Sequence, residues 1–471
     1  MDQFVNRIEE LDRLQTLYES DAAELAIVYG RRQIGKSELV RRSIADRDDA
    51  VYYQAVQGTA TTQLRRFVEA AATTYPDITA VKEEWEPLLR YLTDRDAIVV
   101  IDEFPYLIES NEGLPSIIQH LWDTAVDESQ ATLVLTGSAI GMIHTHVLDG
   151  GAPLYGRVSQ TPNGRLELTQ LPFRSIHEFV PTYTPEERVF VYGVFGGTPR
   201  YLSPLAPSQS LGENITRLLC DPDGPLHDEP ETVLQMELTE VNTYFSVLES
   251  MASGNRSRNE IAQGAGIEST NTSYYFDRLE TLQIIEKHHP ALADPARSKR
   301  TRYQIRDPVF RFYFRYLYGR GGQYELYGES AYGDLIEPEL PDFVSETFES
   351  LCHQAVPALY TDYQLTQVPS QWWYKHREID VVAPTDESTL IVGEAKFTTT
   401  PLGYDVLADL EDDVSHIDWT PPGGGEPTYE FALFSRSGFK RSVKEAADER
   451  DDLRLFDLPD VVGVLESRAD Q

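Results

Sequence analysis

The sequence is poor in cysteine and has no long apolar runs. Its 471 residues include two cysteines, Cys220 and Cys352, whose wide separation excludes a disulfide framework and a cysteine-based zinc cluster. No stretch reaches the roughly 18 uninterrupted apolar residues that a membrane-spanning helix needs. The first residues lack the basic and then apolar order of a secretion signal. These absences predict a cytoplasmic protein with no membrane partner.

Lysine is also scarce, and acidic residues dominate the charge. Only eight of the 41 basic residues are lysines, and 77 acidic residues bring the formal net charge to −36. The acidic residues are spread along the whole chain. Dense carboxylates stay hydrated in concentrated salt, which also screens their mutual repulsion. The composition therefore predicts a halophilic protein, with an acidic tail or partner-binding patch as the alternative, and the net charge says little about nucleic-acid binding.

The length predicts about three domains, because a domain averages about 150 residues. Between residues 22 and 204, short β-branched runs alternate with longer helical patterns, as in a parallel sheet covered by helices. The predicted buried strands are 25–29, 50–53, 97–101 and 131–135.

A phosphate-binding motif follows the first predicted strand directly. The spacing G-x-x-x-x-G-K-[ST] runs from Gly30 to Ser37, and Glu38 opens the helical pattern that comes next. Gly30 and Gly35 let backbone N–H groups curl around phosphate oxygens. Lys36 reaches the β- and γ-phosphates, and Ser37 binds Mg²⁺. The motif predicts a nucleoside triphosphate site that uses Mg²⁺.

Two carboxylates end the third predicted strand. Burying Asp102 and Glu103 at a strand end is costly without a cation. Asp102 would hold Mg²⁺ through its waters, and Glu103 would orient and deprotonate the attacking water. The alternative is a solvated pair that begins a loop before Pro105. The next strand ends at residues 136–138, where a hydroxyl would sense the γ-phosphate or would simply be a polar strand terminus.

Together these motifs resemble those of the archaeal ATPase family, which belongs to the AAA+ and STAND-related P-loop NTPases. The resemblance includes residues 4–11 ahead of the P-loop, the box at 155–157 and the Gly-Gly-x-Pro box at 196–199. By composition alone, the two boxes are turns with an arginine beside a glycine.

The resemblance implies further roles around a bound ATP. It implies that the segment beginning at Arg7 lies against the adenine and that Ser138 occupies the first sensor position. It also implies that Arg157 is an arginine finger or sensor, and that Pro199 and Arg200 cap the nucleotide from a lid.

The middle of the chain predicts a winged helix. Residues 255–282 show two short helical patterns around a turn at 265–267, with Ser269 or Thr270 as the N-cap of the second helix. Thr272 is predicted to face outward. Two apolar segments with a charged tip follow, as expected for the wing.

The segment that follows reverses the charge balance of the chain. Its eight basic residues face one acid, Asp307: Arg297, Lys299, Arg300, Arg302, Arg306, Arg311, Arg315 and Arg320. This run predicts DNA as a partner. Two alternatives stay open, because winged helices also dock proteins and because Arg311 and Arg315 could pack internally. A homo-oligomer or another protein partner is also possible.

The last region carries a second set of chemistry-bearing residues. Glu394 and Lys396 stand two apart on a predicted strand and share a face, and a neighbouring strand would bring Asp380 beside them. Asp380 and Glu394 would bind Mg²⁺ or Mn²⁺, and Lys396 would position the attacking water. Glu349, on a preceding helix, would support the site. The alternative is a solvated Glu394–Lys396 ion pair.

This arrangement resembles the PD-(D/E)xK nuclease superfamily. Ile379 replaces the proline of that pattern and leaves the predicted metal ligands intact. The C-terminal domain of one subgroup of the archaeal ATPase family is similar to this one.

These observations predict an α/β protein with four parts. They are a P-loop ATPase domain with a helical lid at 1–235, a winged helix-turn-helix at 236–310, a linker at 311–335 and a restriction-endonuclease-like α/β domain at 336–471. The predicted function is Mg²⁺-dependent ATP hydrolysis that couples nucleotide state to nucleic-acid engagement and metal-dependent DNA cleavage. The alternative is a STAND-like regulatory ATPase whose nuclease fold is inactive.

If the acidic surface is an adaptation to salt, the protein will stay folded as KCl is raised from low to molar concentration. The physical reason is that salt screens the repulsion among its carboxylates. Circular dichroism followed through a KCl titration measures this, and unfolding by added KCl would exclude the halophilic interpretation.

Overall fold

The structure is a computed structural model that describes residues 4–124, 129–327 and 330–467. The chain forms two compact units. The first comprises Met1–Leu171 and Thr198–Arg200, and the second comprises Pro172–Gly197 and Tyr201–Gln471. Pro199 and Arg200, which were predicted to cap the nucleotide from a lid, belong to the first unit, and the residues on both sides of Thr198–Arg200 belong to the second.

A five-stranded parallel sheet forms the centre of the first unit, in the order β2-β3-β4-β1-β5. The strands are β1 (Glu24–Tyr29), β2 (Ala50–Gln54), β3 (Ile98–Asp102), β4 (Thr132–Gly137) and β5 (Arg165–Glu167). The four predicted strands are confirmed. The fifth was not predicted, because its three residues do not form an apolar run.

Helices of the first unit fill the connections between these strands. They are α1 (Ile8–Tyr18), α2 (Lys36–Ser43), α3 (Ala60–Ala71), α4 (Trp85–Thr93), α5 (Pro105–Ser110), α6 (Leu114–Thr124), α7 (Ile140–Ile143) and α8 (Tyr155–Gln160). Alternate strand residues enter different hydrophobic clusters, which explains the continuous apolar runs. Ile27 and Val99 belong to one cluster, and Val28 and Val100 belong to another.

The second unit begins with helices and then forms a small hairpin. These helices are α9 (Ile176–Phe179), α10 (Pro185–Phe195), α11 (Pro199–Leu202), which starts in the first unit, α12 (Leu211–Ile215), α13 (Glu229–Glu237), α14 (Val241–Ala252), α15 (Arg258–Gly264) and α16 (Thr272–Thr281). The antiparallel strands β6 (Ile285–His288) and β7 (Arg302–Ile305) form the hairpin. Two helices and a hairpin thus lie where the winged helix was predicted. That these elements form a winged helix remains a prediction.

Two local expectations for this segment were wrong. Helix α16 begins at Thr272, and its N-cap is Asn271 rather than Ser269 or Thr270. Thr272 is buried instead of facing outward, because its hydroxyl donates a hydrogen bond to the Ser269 carbonyl at 2.8 Å.

A mixed five-stranded sheet lies in the last part of the chain, in the order β12-β11-β10-β9-β8. Its strands are β8 (Ser370–Tyr374), β9 (Arg377–Pro384), β10 (Thr389–Lys396), β11 (Thr428–Ser435) and β12 (Leu453–Asp457). The pairs β8–β9 and β9–β10 are antiparallel, and the pairs β10–β11 and β11–β12 are parallel. The remaining helices are α17 (Pro308–Phe312), α18 (Gly321–Tyr327), α19 (Ala331–Leu335), α20 (Leu340–Leu359), α21 (Tyr404–Val414), α22 (Arg441–Glu449) and α23 (Leu458–Ser467).

Two ion pairs connect α10 to this last part of the second unit. The guanidinium of Arg188 donates to both carboxylate oxygens of Glu466 on α23, at 2.8 and 3.0 Å, and to the Tyr183 carbonyl at 2.6 Å. Arg436, which follows β11, donates to Glu186 at 2.9 Å. Within the described ranges, no helix has both the length and the apolar character needed to cross a bilayer.

Replacing Glu466 by alanine should lower the free energy of unfolding of the second unit by about 2 kcal/mol, because the buried Arg188 guanidinium loses its hydrogen bonds to a charged partner. A urea titration in high salt measures the change. Glu445→Ala is the matched control, because its pair with Arg441 is exposed and should contribute about 0–1 kcal/mol. Equal shifts in the two variants would contradict the assigned role of the Arg188–Glu466 pair.

Candidate functional site

The loop between β1 and α2 requires glycine at both of its ends. Gly30 has a φ of +148°, and a Cβ atom there would lie 2.3 Å from the Leu168 carbonyl oxygen. Gly35 has a φ of +97°, and a Cβ atom there would lie 3.9 Å from Cγ of Pro199. Side chains at these positions would therefore clash or strain the backbone. The predicted phosphate loop has the conformation that its glycines permit, and Pro199 lies beside it.

Lys36 and the start of α2 supply the positive end of this loop. The Lys36 side chain is buried, and its Nζ donates to the carbonyls of Gly30 at 2.9 Å and Arg31 at 2.8 Å. Ser37 and Glu38 follow in the first turn of α2, with Ser37 partly buried and Glu38 exposed. A helix start presents unpaired N–H groups, which favour a phosphate.

Arg7 is hydrogen-bonded to the same loop. Its buried guanidinium donates to the carbonyls of Ile34 at 3.3 Å and Thr169 at 2.6 Å, and it pairs with Glu10 at 2.8 Å. The expected contact of this segment with adenine remains a prediction. The direct connection of Arg7 to Ile34 was not predicted, because no local spacing relates the two residues.

Asp102 is fully buried at the end of β3 and accepts two hydroxyl hydrogen bonds. Tyr52 on β2 donates to it at 2.6 Å, and Thr136 on β4 donates to its other carboxylate oxygen. Burial and then the Asp102 carboxylate raise the pKa of Tyr52. Nothing in the sequence marked Tyr52 as a site residue except its place in a predicted strand. Thr136 belongs to residues 136–138, the strand end that the sequence analysis had proposed as a sensor of the γ-phosphate.

Glu103 adopts the left-handed region with a φ of +56°. Its carboxylate accepts hydrogen bonds from the Ser138 hydroxyl at 3.0 and 2.9 Å. Such a conformation is uncommon outside glycine. Because β4 lies between β3 and β1, Ser138 and the two carboxylates share the carboxyl edge of the sheet with the phosphate loop.

This edge fits a magnesium ion held mainly by a nucleotide. Among the residues that the structure describes, no three His, Cys, Asp or Glu side chains form a metal-binding group. Mg²⁺ keeps several waters and is bound through one or two protein oxygens together with substrate phosphates. The magnesium-binding roles of Ser37 and Asp102 remain predictions, and the Asp102 oxygens accept hydrogen bonds from Tyr52 and Thr136.

The structure does not bring Arg157 to the phosphate loop. Its guanidinium pairs with Asp123 at 2.7 Å, close to the end of α6 and therefore toward the amino edge of β4. Arg200 is exposed at the start of α11. The finger or sensor role of Arg157 and the capping role of Arg200 remain predictions.

The second candidate site lies on β9 and β10 of the second unit. Nζ of Lys396 is 3.0 Å from Asp380 and also contacts the carboxylate of Glu394. The backbone N–H of Ala395 donates to Asp380 at 3.0 Å. The three residues predicted to share one sheet face are therefore brought together.

The charges in this group act strongly on one another. Burial and then the neighbouring Asp380 charge raise the pKa of Glu394 to about 8. Burial opposes the charged form of Lys396, yet the two carboxylates raise its pKa above the usual value. Burial and then Asp380 also raise the pKa of Glu349 on α20. The raised values mean that Glu394 and Glu349 resist ionisation beside Asp380, because the group has more carboxyls than the one cation of Lys396 can neutralise.

His353 is a member of this region that the sequence reasoning missed. Its Nε2 lies 2.6 Å from the Asp380 carbonyl oxygen. It follows Glu349 by four residues on α20, so both side chains lie on one helix face. That spacing was the available signal.

Comparisons with known proteins place the chain among archaeal ATPases. A family model described as an ATPase domain predominantly from Archaea matches residues 4–205, and a model of archaeal and bacterial proteins of unknown function matches residues 313–406. An uncharacterised protein of Methanocaldococcus jannaschii is 31% identical over 392 residues, which cover 81% of this chain and 84% of that protein. A second protein of that organism, an uncharacterised ATP-binding protein, is 41% identical over 44 residues, which cover 9% of this chain and 75% of that protein.

A solved structure agrees with the fold. The Walker-type ATPase of Pyrococcus abyssi has a TM-score of 0.50 and 18% identity, and the match covers 66% of this chain and 96% of that chain. Given the extended relative in Methanocaldococcus jannaschii, the family match and the geometry of the phosphate loop, the chain belongs to the archaeal P-loop ATPase family.

Proposed function

We propose that this protein hydrolyses ATP with Mg²⁺ and uses the nucleotide state to control nucleic-acid engagement and phosphodiester cleavage by its second unit. The observation that carries the ATPase part is the shared sheet edge of Lys36, Asp102 and Glu103. In the proposed reaction, Lys36 exchanges its loop carbonyls for β- and γ-phosphate oxygens. Ser37 and Asp102 would hold the Mg²⁺, which when bound would neutralise developing charge.

Glu103 is the proposed base for the attacking water. Its carboxylate is held by Ser138, so a γ-phosphate that attracts the Ser138 hydroxyl would release Glu103 to accept the proton of the water. The water oxygen then bonds to the γ-phosphorus as the bond to the β–γ bridging oxygen breaks. Ser138 would therefore sense the γ-phosphate by giving up its hydrogen bond to Glu103.

The proposed coupling follows the chain itself. Thr198–Arg200 belongs to the first unit, whereas the residues on both sides of it belong to the second. Pro199 lies beside Gly35 of the phosphate loop. A nucleotide that reshapes this loop would therefore act on a segment directly continuous with α10 and α11.

For the second unit, we propose metal-assisted hydrolysis of DNA. Asp380 and Glu394 would bind Mg²⁺ or Mn²⁺, with Glu349 nearby, and a bound cation would polarise the phosphodiester. Lys396 would then turn from the two carboxylates toward the attacking water or the developing phosphorane charge. The support is the buried, mutually repelling carboxylates, which gain the most from a cation.

One observation favours a second function, a regulatory ATPase switch with an inactive C-terminal fold. The Lys396 ammonium already pairs with both Asp380 and Glu394. A closed ion triad of this kind satisfies the carboxylates without a metal. In that case, ATP would control a DNA- or protein-binding module without cleavage.

Changing Glu103 to glutamine should lower the rate of ATP hydrolysis by about 10²–10⁴-fold, because the base that accepts the water proton is lost. ATP binding should be retained, since the phosphate loop is untouched. Lys36→Ala should lose both, which nucleotide-binding and phosphate-release assays distinguish. Glu109→Gln is the charge-matched control, at the end of α5. Full hydrolysis by Lys36→Ala would exclude the assigned phosphate site.

Changing Asp380 to asparagine should abolish metal-dependent DNA cleavage, because one of the two metal-binding carboxylates becomes neutral. The assay uses labelled single- and double-stranded DNA in high KCl, with Mg²⁺ or Mn²⁺, and with or without ATP. Asp409→Asn on the exposed side of α21 is the matched control. Intact ATPase activity without cleavage under any metal would instead support the regulatory switch.

A further inference from the structure

The long loop between β6 and β7 is bound to the edge strand β8. The Ala291 N–H donates to the Gln371 carbonyl at 2.8 Å, and the Arg300 guanidinium donates to the Trp373 carbonyl at 3.1 Å. The Arg302 guanidinium donates to the Gln371 side chain at 3.0 Å. These contacts join the loop and the β8–β9 hairpin into one surface.

Several basic residues of the 297–320 run are occupied by carboxylates. Arg302 pairs with Glu378 at 2.8 Å, Arg311 pairs with Glu346, and Arg315 contacts Glu339 at 3.4 Å. The pair with Glu346 supports the alternative, left open by the sequence, that Arg311 packs internally. They also remove these arginines from an exposed basic surface.

Other cations remain exposed where the loop meets the hairpin. Lys299 and Arg300 lie on the loop, and Lys375 lies at the turn of the hairpin. The neighbouring Arg297 pairs with Asp294, and Arg377 pairs with carboxylates of α21, so neither adds a full charge. Lys299 directly precedes Arg300, and Lys375 directly follows Tyr374, so two of the eight lysines of the chain adjoin this contact in sequence.

An exposed aromatic ring lies among these cations. The Tyr374 side chain is 42% exposed at the end of β8. The guanidinium carbon of Arg300 lies over the ring at 5.4 Å from its centroid, and Nζ of Lys375 lies over the ring at 5.1 Å. An unpaired base that stacks on Tyr374 would displace these cations from the ring, and they would then pair with the backbone phosphates of the same strand.

We propose that Lys299, Arg300, Tyr374 and Lys375 form a binding surface for single-stranded nucleic acid, here named the loop–hairpin surface. The inference rests on the proposed function, because it names the substrate form that reaches the Asp380 site. The net charge of −36 repels a polyanion over most of the molecule, so a local group of cations is needed to hold one. An acidic protein surface would use the cations but would not need Tyr374.

The position of this surface suits delivery to the Asp380 site. Lys375 stands five residues before Asp380, and β9 leads from the hairpin to that residue. At about 3.4 Å per residue, this segment of chain spans about 17 Å. A strand bound at Tyr374 would therefore be held a few nucleotides from the proposed cleavage site.

The test measures anisotropy of a fluorescent oligothymidylate with the full-length protein in EDTA, which prevents cleavage, over a series of KCl concentrations. Tyr374→Ala should weaken binding about tenfold through loss of one stacked base, whereas Tyr374→Phe should retain it. The double change Lys299→Ala with Lys375→Ala should reduce the slope of log affinity against log salt by about 1.4. Lys444→Ala, an exposed lysine on α22, is the matched control and should change neither quantity.

The outcomes separate the failure of this inference from that of the proposed function. If the wild type does not bind the oligonucleotide, the nucleic-acid part of the proposed function fails, and this inference fails with it. If the wild type binds but the variants match Lys444→Ala, the surface is wrong while nucleic-acid engagement stands. If the lysine changes weaken binding but Tyr374→Ala does not, the surface is a general polyanion site of the kind an acidic protein would use, and the single-strand proposal is overturned. An unchanged urea unfolding transition in every variant checks that the second unit of each one is folded.

Discussion

A buried charge must be paired, and this requirement organises both units. Lys36 lies within the loop carbonyls of Gly30 and Arg31, and Asp102 accepts two hydroxyl hydrogen bonds from neighbouring strands. In the second unit, Lys396 lies between Asp380 and Glu394. An unpaired charge at any of these positions would cost several kcal/mol. The folded chain therefore holds its reactive groups in pairs that a nucleotide or a metal ion must rearrange.

Arginine is the residue that this chain uses to connect its parts. Arg256 pairs with Glu346 at 2.5 Å, and Arg302 and Arg311 join the same network of carboxylates on β9 and α20. Planar guanidinium groups suit such sites, because they donate several hydrogen bonds in a fixed geometry. Three of the eight basic residues in the 297–320 run, Arg302, Arg311 and Arg315, thus pair with carboxylates of the second unit, and the other five are exposed. The network also includes Glu378, which lies two residues before Asp380 on β9. Alternate residues of a strand point to the same face, so Arg302 of β7 binds on the face of the sheet that carries the candidate metal site.

Much of the first unit could be predicted, because its signals are local. Apolar runs predicted four of the five strands, and the spacing of Gly30, Gly35 and Lys36 predicted the phosphate loop. The short strand β5 escaped prediction, because Arg165–Glu167 contains a single apolar residue. Thr272 was assigned to the wrong face, because a helix start depends on hydrogen bonds that periodicity does not describe. Arg157 carried a suggestive local box, yet its guanidinium pairs with Asp123.

The sequence by itself determined the loop conformation, the strands and the residue types at both candidate sites, since glycine stereochemistry and side-chain periodicity act over a few residues. The tertiary structure decided which distant groups pair with the residues of these sites. Tyr52 reaches Asp102 across 50 positions, and Arg188 reaches Glu466 across 278. No local pattern encodes such pairs, because they arise only when the sheet order and helix packing bring distant segments together. The same reason explains why an exposed cluster of Lys299, Tyr374 and Lys375 exists only in the folded chain.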